Sequence, residues 1–238
     1  MDKPLKRDTF ELRFFPIAAF FGRKSELLDL LYRDPKTRKH NFEHWQFEEN
    51  RIILFDADKS RVFSFSFQNC QYQCENPPTE GFARDQILKY AGTSLEFFDD
   101  KIETILRIGY RQTQVFPVDD FDKLSQLLAE TFIKTDNALF KSLEAPIADV
   151  QLFPTVFKHG ANRFQITLGP VKSEQLKALW GADASFPEQA LFLDVDYYAV
   201  QPKGATDELR HYVVEFLGKA SEILAKVNGG ISDGILRV

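Results

Sequence analysis

Hydrophobic and polar residues alternate with a period of two in several segments of the chain, which predicts β-strands. The alternation is clearest over 62–74, which begins with phenylalanines on one face and serines on the other. After Asn69 the apolar residues change phase. Because a shift of one residue exchanges the two faces of a strand, this segment must contain a bulge or a turn.

Other segments predict further strands and a set of amphipathic helices. Strands are expected at 9–21, 102–116, 150–158, 162–169 and 190–200, and the segment 45–56 predicts two strands separated by a turn at Glu48–Asn50. Pro16 places the first of these at a sheet edge, a bulge or a strand end. Apolar residues at helical spacing predict helices at 25–32, 82–98, 120–133, 173–180 and 207–227. Gly229 and Gly230 are expected to end the last helix.

The order of these elements predicts an α+β fold. Strands joined by short turns favour antiparallel pairing, so we expect curved, mostly antiparallel sheets packed by helices. Each half of the chain has the order strand, helix, strands, helix, which suggests two tandem units. Their boundaries are 1–100 and 101–238, and the two units can also pack as a single domain.

Composition excludes several classes of protein. The chain has 238 residues, 44% of them hydrophobic, and a net charge of −5, which is ordinary for a folded protein. An acidic chain of pI 5.5 lacks the basic character typical of nucleic-acid binders. No apolar stretch approaches the ~20 residues of a membrane span, and the first residues lack the apolar core of a signal peptide. We therefore expect a cytoplasmic protein that binds neither membrane nor nucleic acid.

Phenylalanine is unusually frequent, with 24 residues in the chain. Most of them occupy apolar strand or helix positions, which indicates a role in the core. The doublets 14–15, 20–21 and 97–98 do not fit this pattern, because adjacent side chains of a regular strand point to opposite faces. We therefore take Phe14, Phe20 and Phe21 as candidates for an aromatic surface that faces a partner.

Two sets of residues raise the question of a metal site. His40, Glu43 and His44 match the H-x-x-E-H zinc-peptidase motif. They follow a basic loop and lead into a strand, so a loop and strand start is the favoured interpretation. Cys70 and Cys74 would lie about 13 Å apart on one face of a strand, too far for a disulfide. Two core thiols are favoured, and we expect no cofactor or metal.

Two further strands carry charged residues on one face. Asp194 and Asp196 alternate with apolar residues, and Arg107 and Arg111 do the same on an earlier strand. The aspartates could face either these arginines or Arg163 and Gln165 on neighbouring strands. The carboxylates could then form a metal or phosphoryl site, or a polar sheet face with cross-strand ion pairs. The polar face is the favoured interpretation.

The sequences of the same two strands resemble those of a known protein family. Residues 107–111 (RIGYR) and 193–198 (LDVDYY), followed by an amphipathic helix, resemble a sporadically distributed family of uncharacterised bacterial proteins. The similarity covers mainly 102–228, and it departs from the family pattern at Tyr110 and Gln112. It implies an α+β fold with curved antiparallel sheets and an accessory or defence-associated role. It supplies no catalytic residues, because the family has no agreed activity.

These features favour a non-enzymatic binding or adaptor protein that acts through protein–protein contacts. Its candidate recognition residues are Arg107, Arg111, Asp194 and Asp196, together with the aromatic residues named above. One alternative is a metal-dependent hydrolase or nuclease that uses Asp194 and Asp196, or with less support the histidine motif. A second alternative is a binder of a small apolar ligand between the sheet and the long helix. A homo-oligomer is compatible with all three.

Overall fold

A computed structural model describes residues 4–33, 39–132, 153–180, 185–202 and 208–235. The described residues form nine strands and five α-helices. The strands are β1 (Leu5–Phe14), β2 (His44–Phe47), β3 (Arg51–Phe55), β4 (Arg61–Ser66), β5 (Asn69–Glu75), β6 (Ile105–Pro117), β7 (Phe153–His159), β8 (Asn162–Lys172) and β9 (Gln189–Val200). The helices are α1 (Ala19–Tyr32), α2 (Phe82–Phe97), α3 (Phe121–Phe132), α4 (Ser173–Trp180) and α5 (Leu209–Gly234).

All nine strands belong to one antiparallel sheet, with the order β2-β3-β4-β5-β1-β6-β9-β8-β7. In each half of the chain the first strand pairs with the last strand of that half, as β1–β5 and β6–β9. The two first strands, β1 and β6, then pair with each other and join the halves. The predicted α+β class with a curved antiparallel sheet is therefore confirmed.

Four helices cover one face of the sheet and the fifth lies on the other. Helices α1, α2, α3 and α5 pack on the face that carries the main hydrophobic core. Helix α4 packs against β8 on the opposite face, over a smaller apolar cluster that contains Trp180 and Phe192. No helix among the described residues is long and apolar enough to cross a membrane.

Most predicted elements are present with shifted boundaries. The phase change after Asn69 is a turn, because β4 ends at Ser66 and β5 begins at Asn69. The prediction of one strand over 9–21 is wrong beyond Phe14, because α1 already begins at Ala19. Pro16 lies between the two elements and cannot donate a ladder hydrogen bond, so the strand ends before it. The first residues of the predicted 150–158 strand and 207–227 helix lie outside the described residues.

The last helix continues past the glycines that were expected to end it. Helix α5 runs through Gly229 and Gly230 to Gly234. Ile231 and Ile235 at its end are buried in the main core, so packing holds the final turns in place despite the low helix propensity of glycine.

A buried polar network also attaches α5 to the centre of the sheet. Asn228 donates to Gln112 Oε1 at 2.8 Å, and Gln114 donates to Asn228 Oδ1 at 2.8 Å. Gln114 also donates to Gln112 Oε1 at 2.7 Å, and Gln112 donates to Asp8 Oδ1 at 2.8 Å. These side chains face the helix layer, so the polar residues of β1 and β6 are not confined to the exposed face of the sheet.

Two of the three aromatic residues proposed to face a partner lie in the core. Phe14 and Phe20 are buried and pack on Phe65, which stacks on Phe98 with ring centroids 5.5 Å apart. The expectation that Phe14 and Phe20 form a partner-facing surface is therefore wrong. Each doublet places one ring inside and the other outside or partly outside, and Phe21, the third candidate, is 50% exposed.

Adjacent phenylalanines of α1 should therefore differ in their effect on stability. Replacing Phe20 with Ala removes a ring that contacts three aromatic side chains, and we expect a loss of about 3–5 kcal/mol in the free energy of unfolding. Replacing Phe21 with Ala should lower it by less than about 1 kcal/mol, because half of that ring is exposed. Urea denaturation checks both values, and equal losses would contradict this packing.

Burial gives Asp8 an unusual role in the pH dependence of stability. Its carboxylate is 2% exposed, and desolvation raises its pKa despite the nearby Lys6 and the hydrogen bond from Gln112. The folded protein therefore retains a proton that the unfolded chain has already lost as pH rises. The contribution of Asp8 to the free energy of unfolding is consequently largest below the pKa that it has in the unfolded chain. It falls as pH rises through the higher pKa that Asp8 has in the folded protein.

Asp8→Asn should remove this pH-dependent contribution. Relative to the wild type, the variant should become progressively more stable between pH 4 and pH 7, because the amide avoids burying a charge. The free energy of unfolding measured in urea at several pH values gives the difference. Asp29→Asn, which changes an exposed carboxylate of α1, is the matched control. A constant difference between Asp8→Asn and the wild type across this range would contradict the role assigned to Asp8.

Candidate functional site on the open sheet face

The described residues leave the face of the sheet opposite the main helix layer largely uncovered, and we call it the open face. It consists of the side chains that alternate with the core residues on β5, β1, β6, β9 and β8. At one end it is covered by α4 and the apolar cluster around Trp180. The remainder is polar and carries Thr9, Glu11, Arg13, Gln71, Gln73, Arg107, Arg111, Thr113, Arg163, Gln165, Thr167, Asp194 and Asp196.

Arg107 links three strands across the centre of the open face. Its Nη1 donates to Glu11 Oε2 on β1 at 2.8 Å, and its Nη2 donates to Asp196 Oδ2 on β9 at 2.8 Å. The guanidinium lies over Gly109, where a Cβ atom would stand 2.8 Å from Nη1. A side chain at position 109 would therefore displace Arg107 from at least one of its two carboxylates.

The second arginine of this strand forms a separate pair. Arg111 Nε donates to Asp194 Oδ1 at 2.7 Å, and Thr113 Oγ1 donates to the same oxygen at 2.8 Å. Asp194 is thereby almost fully buried, whereas the side chain of Arg111 remains 55% exposed. The structure thus brings together Arg107, Arg111, Asp194 and Asp196. Arg163 and Gln165, the other neighbours considered for the aspartates, lie on the same face.

Glu11 is also part of this site, although it was not among the residues predicted from the sequence. Besides Arg107, it accepts a hydrogen bond from Gln71 Nε2 at 3.0 Å, and its Oε1 forms an ion pair with Arg13 Nη2 at 2.9 Å. The alternation of Thr9, Glu11 and Arg13 with buried residues of β1 was a usable signal for a polar face. Its partner on β6 could not be read from the sequence, because that requires the register between distant strands.

The surroundings of the charged groups affect their protonation. Burial raises the pKa of Asp196, although Arg107 and Arg111 both favour its charged form. The hydrogen bond to Asp194 raises the pKa of Arg111 and keeps its guanidinium protonated. The centre of the open face therefore contains carboxylates paired with guanidinium groups.

The uncovered part of the open face forms a shallow concavity of about 570 Å³. Its floor is lined by side chains of four adjacent strands, β4, β5, β1 and β6, and by Asp196 of β9. A surface of this width can contact an extended segment or the face of another protein.

The other candidate residues lie elsewhere. His40 stacks on Tyr32, Glu43 accepts from the backbone N–H of Ala57, and His44 begins β2, so the three are not on one helix. Cys70 and Cys74 are buried free thiols, as expected. Within the described ranges, no group of three or more His, Cys, Asp or Glu side chains has the arrangement of a metal site.

A second concavity of about 570 Å³ lies on the helix side, between the β7–β8 turn and α5. Asn162 donates to the hydroxyl of Tyr197 at its base at 2.6 Å, and Tyr212 and Phe216 of α5 line its wall. This concavity adjoins α5 and the sheet, where the alternative of a small-ligand binder predicts its site.

Comparison with known proteins does not add a function. No protein-family model matches the sequence. A comparison with curated proteins also finds no match. The site must therefore be interpreted from its own chemistry.

The close approach of Arg107 to Gly109 predicts that residue 109 affects the interaction energy between Arg107 and Asp196. A double-mutant cycle of Arg107→Met and Asp196→Asn should give an interaction of about 0.5–3 kcal/mol in the wild-type background. The same cycle in the Gly109→Ala background should give a smaller value, because the added Cβ displaces the guanidinium.

Urea denaturation provides the free energies for both cycles. Gly22→Ala, at a position with no atom within 4 Å of the added Cβ, is the control background and should leave the coupling unchanged. An undiminished coupling in Gly109→Ala would show that Arg107 does not need the space above residue 109.

Proposed function

We propose that this chain is a non-enzymatic binding or adaptor protein whose open face contacts a protein partner. The observation that carries the proposal is the construction of this face. Charged side chains from β1, β6 and β9 are fixed in place by ion pairs, and among the described helices only α4 covers part of this face. Fixed charges at an interface set register and specificity.

The same geometry favours binding over metal-dependent hydrolysis. Asp194 and Asp196 share a face, as a metal site would require. However, their oxygens accept hydrogen bonds from Arg111, Thr113 and Arg107. A divalent cation at this position would have to displace a guanidinium from each carboxylate and would lie beside two positive charges.

The proposal of a small apolar ligand is less well supported than that of a protein partner. The space between the sheet and α5 is occupied by buried side chains, including Val195, Leu217 and Leu224. The concavity beside Tyr197 is open and partly polar, unlike a typical enclosed apolar pocket.

The cellular setting of the protein is also part of the proposal. The resemblance to a sporadically distributed bacterial family supports an accessory or defence-associated role, and the sequence composition supports a location in the cytoplasm. An adaptor in such a role needs a surface that selects its partner. The paired charges of the open face can provide that selectivity.

Arg111→Gln should weaken capture of the partner without unfolding the protein. The tagged protein would be used to capture partners from cells that express it, with quantification by mass spectrometry. Arg111 is more than half exposed and has one acidic partner. Arg210→Gln is the matched control, because Arg210 is similarly exposed and pairs with Glu96 on the helix side.

We expect at least a several-fold loss of a specific partner for Arg111→Gln and no loss for Arg210→Gln. If both variants retain every partner of the wild type, the open face is not the binding surface. Circular dichroism of both variants verifies that the fold is unchanged.

A further inference from the structure

We infer that the segment of the partner that lies on the open face is acidic and extended. This inference rests on the proposed function, and it concerns the chemistry of the bound element. It depends on which charged groups of the face are paired within the protein and which still have hydrogen-bond donors or acceptors for a partner.

The carboxylates of the open face are consumed by internal contacts. Glu11 accepts hydrogen bonds from two side chains and forms an ion pair with a third, and Asp194 accepts hydrogen bonds from two. The side chains of Glu11, Asp194 and Asp196 are 15%, 5% and 23% exposed, respectively. These groups therefore offer few free lone pairs to an incoming donor.

The guanidinium groups retain much of their hydrogen-bonding capacity. Arg111 uses its Nε–H for Asp194, and a guanidinium has five N–H donors. Arg13 is 56% exposed and pairs only with Glu11 among the described residues. Arg163 is exposed and has no charged or hydrogen-bonded side-chain partner in the described parts of the chain. The outward-facing chemistry is thus that of unused arginine donors, which bind carboxylates in a bidentate geometry.

The positions of these arginines fit an extended segment. Arg13 lies on β1, Arg111 on the adjacent β6, and Arg163 on β8, two strands beyond β6. At about 4.8 Å between neighbouring strands and 3.3 Å per residue along them, Arg13 is offset from Arg111 by four residues along the strand direction, and Arg111 and Arg163 are separated by roughly 12 Å. An extended peptide covers that distance in four to five residues, and its alternate side chains point to the same side.

The charge of the whole chain does not oppose this inference. The net charge of −5 is distributed over the molecule, whereas charges beyond about 8–10 Å are largely screened at physiological salt. A nucleic acid is a less favourable occupant, because a chain of pI 5.5 lacks the basic character typical of nucleic-acid binders. A second copy of the chain would bring the same exposed arginines to the interface.

The inference is tested with decaglutamate as the probe, labelled at one end, and fluorescence anisotropy with the full chain. We expect binding that weakens as salt increases, and a three- to tenfold loss of affinity for Arg111→Gln and for Arg163→Gln. Arg210→Gln should bind like the wild type. Decalysine tests whether the face binds a basic segment instead, and a ten-nucleotide single-stranded DNA tests whether it binds a nucleic acid.

Several results would overturn the inference. No binding of decaglutamate, or binding that is unaffected in both open-face variants, would refute it. Stronger binding of the DNA with the same arginine dependence would identify a nucleic acid as the occupant. A dimer in light scattering that Arg111→Gln dissociates would identify a second copy. If decaglutamate fails to bind while partner capture still depends on Arg111, the inference fails and the proposed function stands.

Discussion

The antiparallel pairing of β1 with β6 is the constraint on which the rest of the structure depends. These strands begin the two halves of the chain, and their contact makes one nine-stranded sheet from two smaller ones. Their register also decides which side chains meet. A slip of one residue would exchange the two faces, placing Phe10 in solvent and Glu11 under the helices.

The same pair of strands supports two different kinds of polar contact. On the helix side, β1 and β6 supply Asp8, Gln112 and Gln114, which form a buried network made mainly of neutral amides with Asn228 of α5. On the open side they supply Glu11 and Arg107, which belong to a network of ion pairs. The buried network fixes one helix by hydrogen bonds, while the ion pairs hold charged groups at a surface.

The sequence was sufficient to predict the fold class and part of the site. Period-two alternation placed Arg107 and Arg111 on one strand face, and Asp194 and Asp196 on another, since neighbouring residues of a strand point to opposite sides. What alternation cannot provide is the register between strands. Glu11 and Arg107 are 96 residues apart, so their contact follows from tertiary pairing alone.

Two predictions made from local sequence patterns were wrong, because tertiary packing outweighed the local preference. Gly229 and Gly230 are poor helix residues, yet α5 passes through them because Ile231 and Ile235 are buried further along. The phenylalanine doublets were correctly recognised as irregular. Their assignment to a surface failed for Phe14 and Phe20, because a doublet requires only one of its two rings to face outward.

The two ends of the sheet have a consequence for how the protein behaves at high concentration. Among the described residues, β2 and β7 are the outermost strands, and an uncovered edge can recruit further strands from other molecules. Strand β2 has only four residues, which limits the number of ladder hydrogen bonds that it can offer. The β7–β8 register directs the backbone of Pro154, Val156 and Lys158 away from β8. Proline supplies no N–H there and lysine places a charge beside the edge, so both ends of this long sheet resist growth into aggregates.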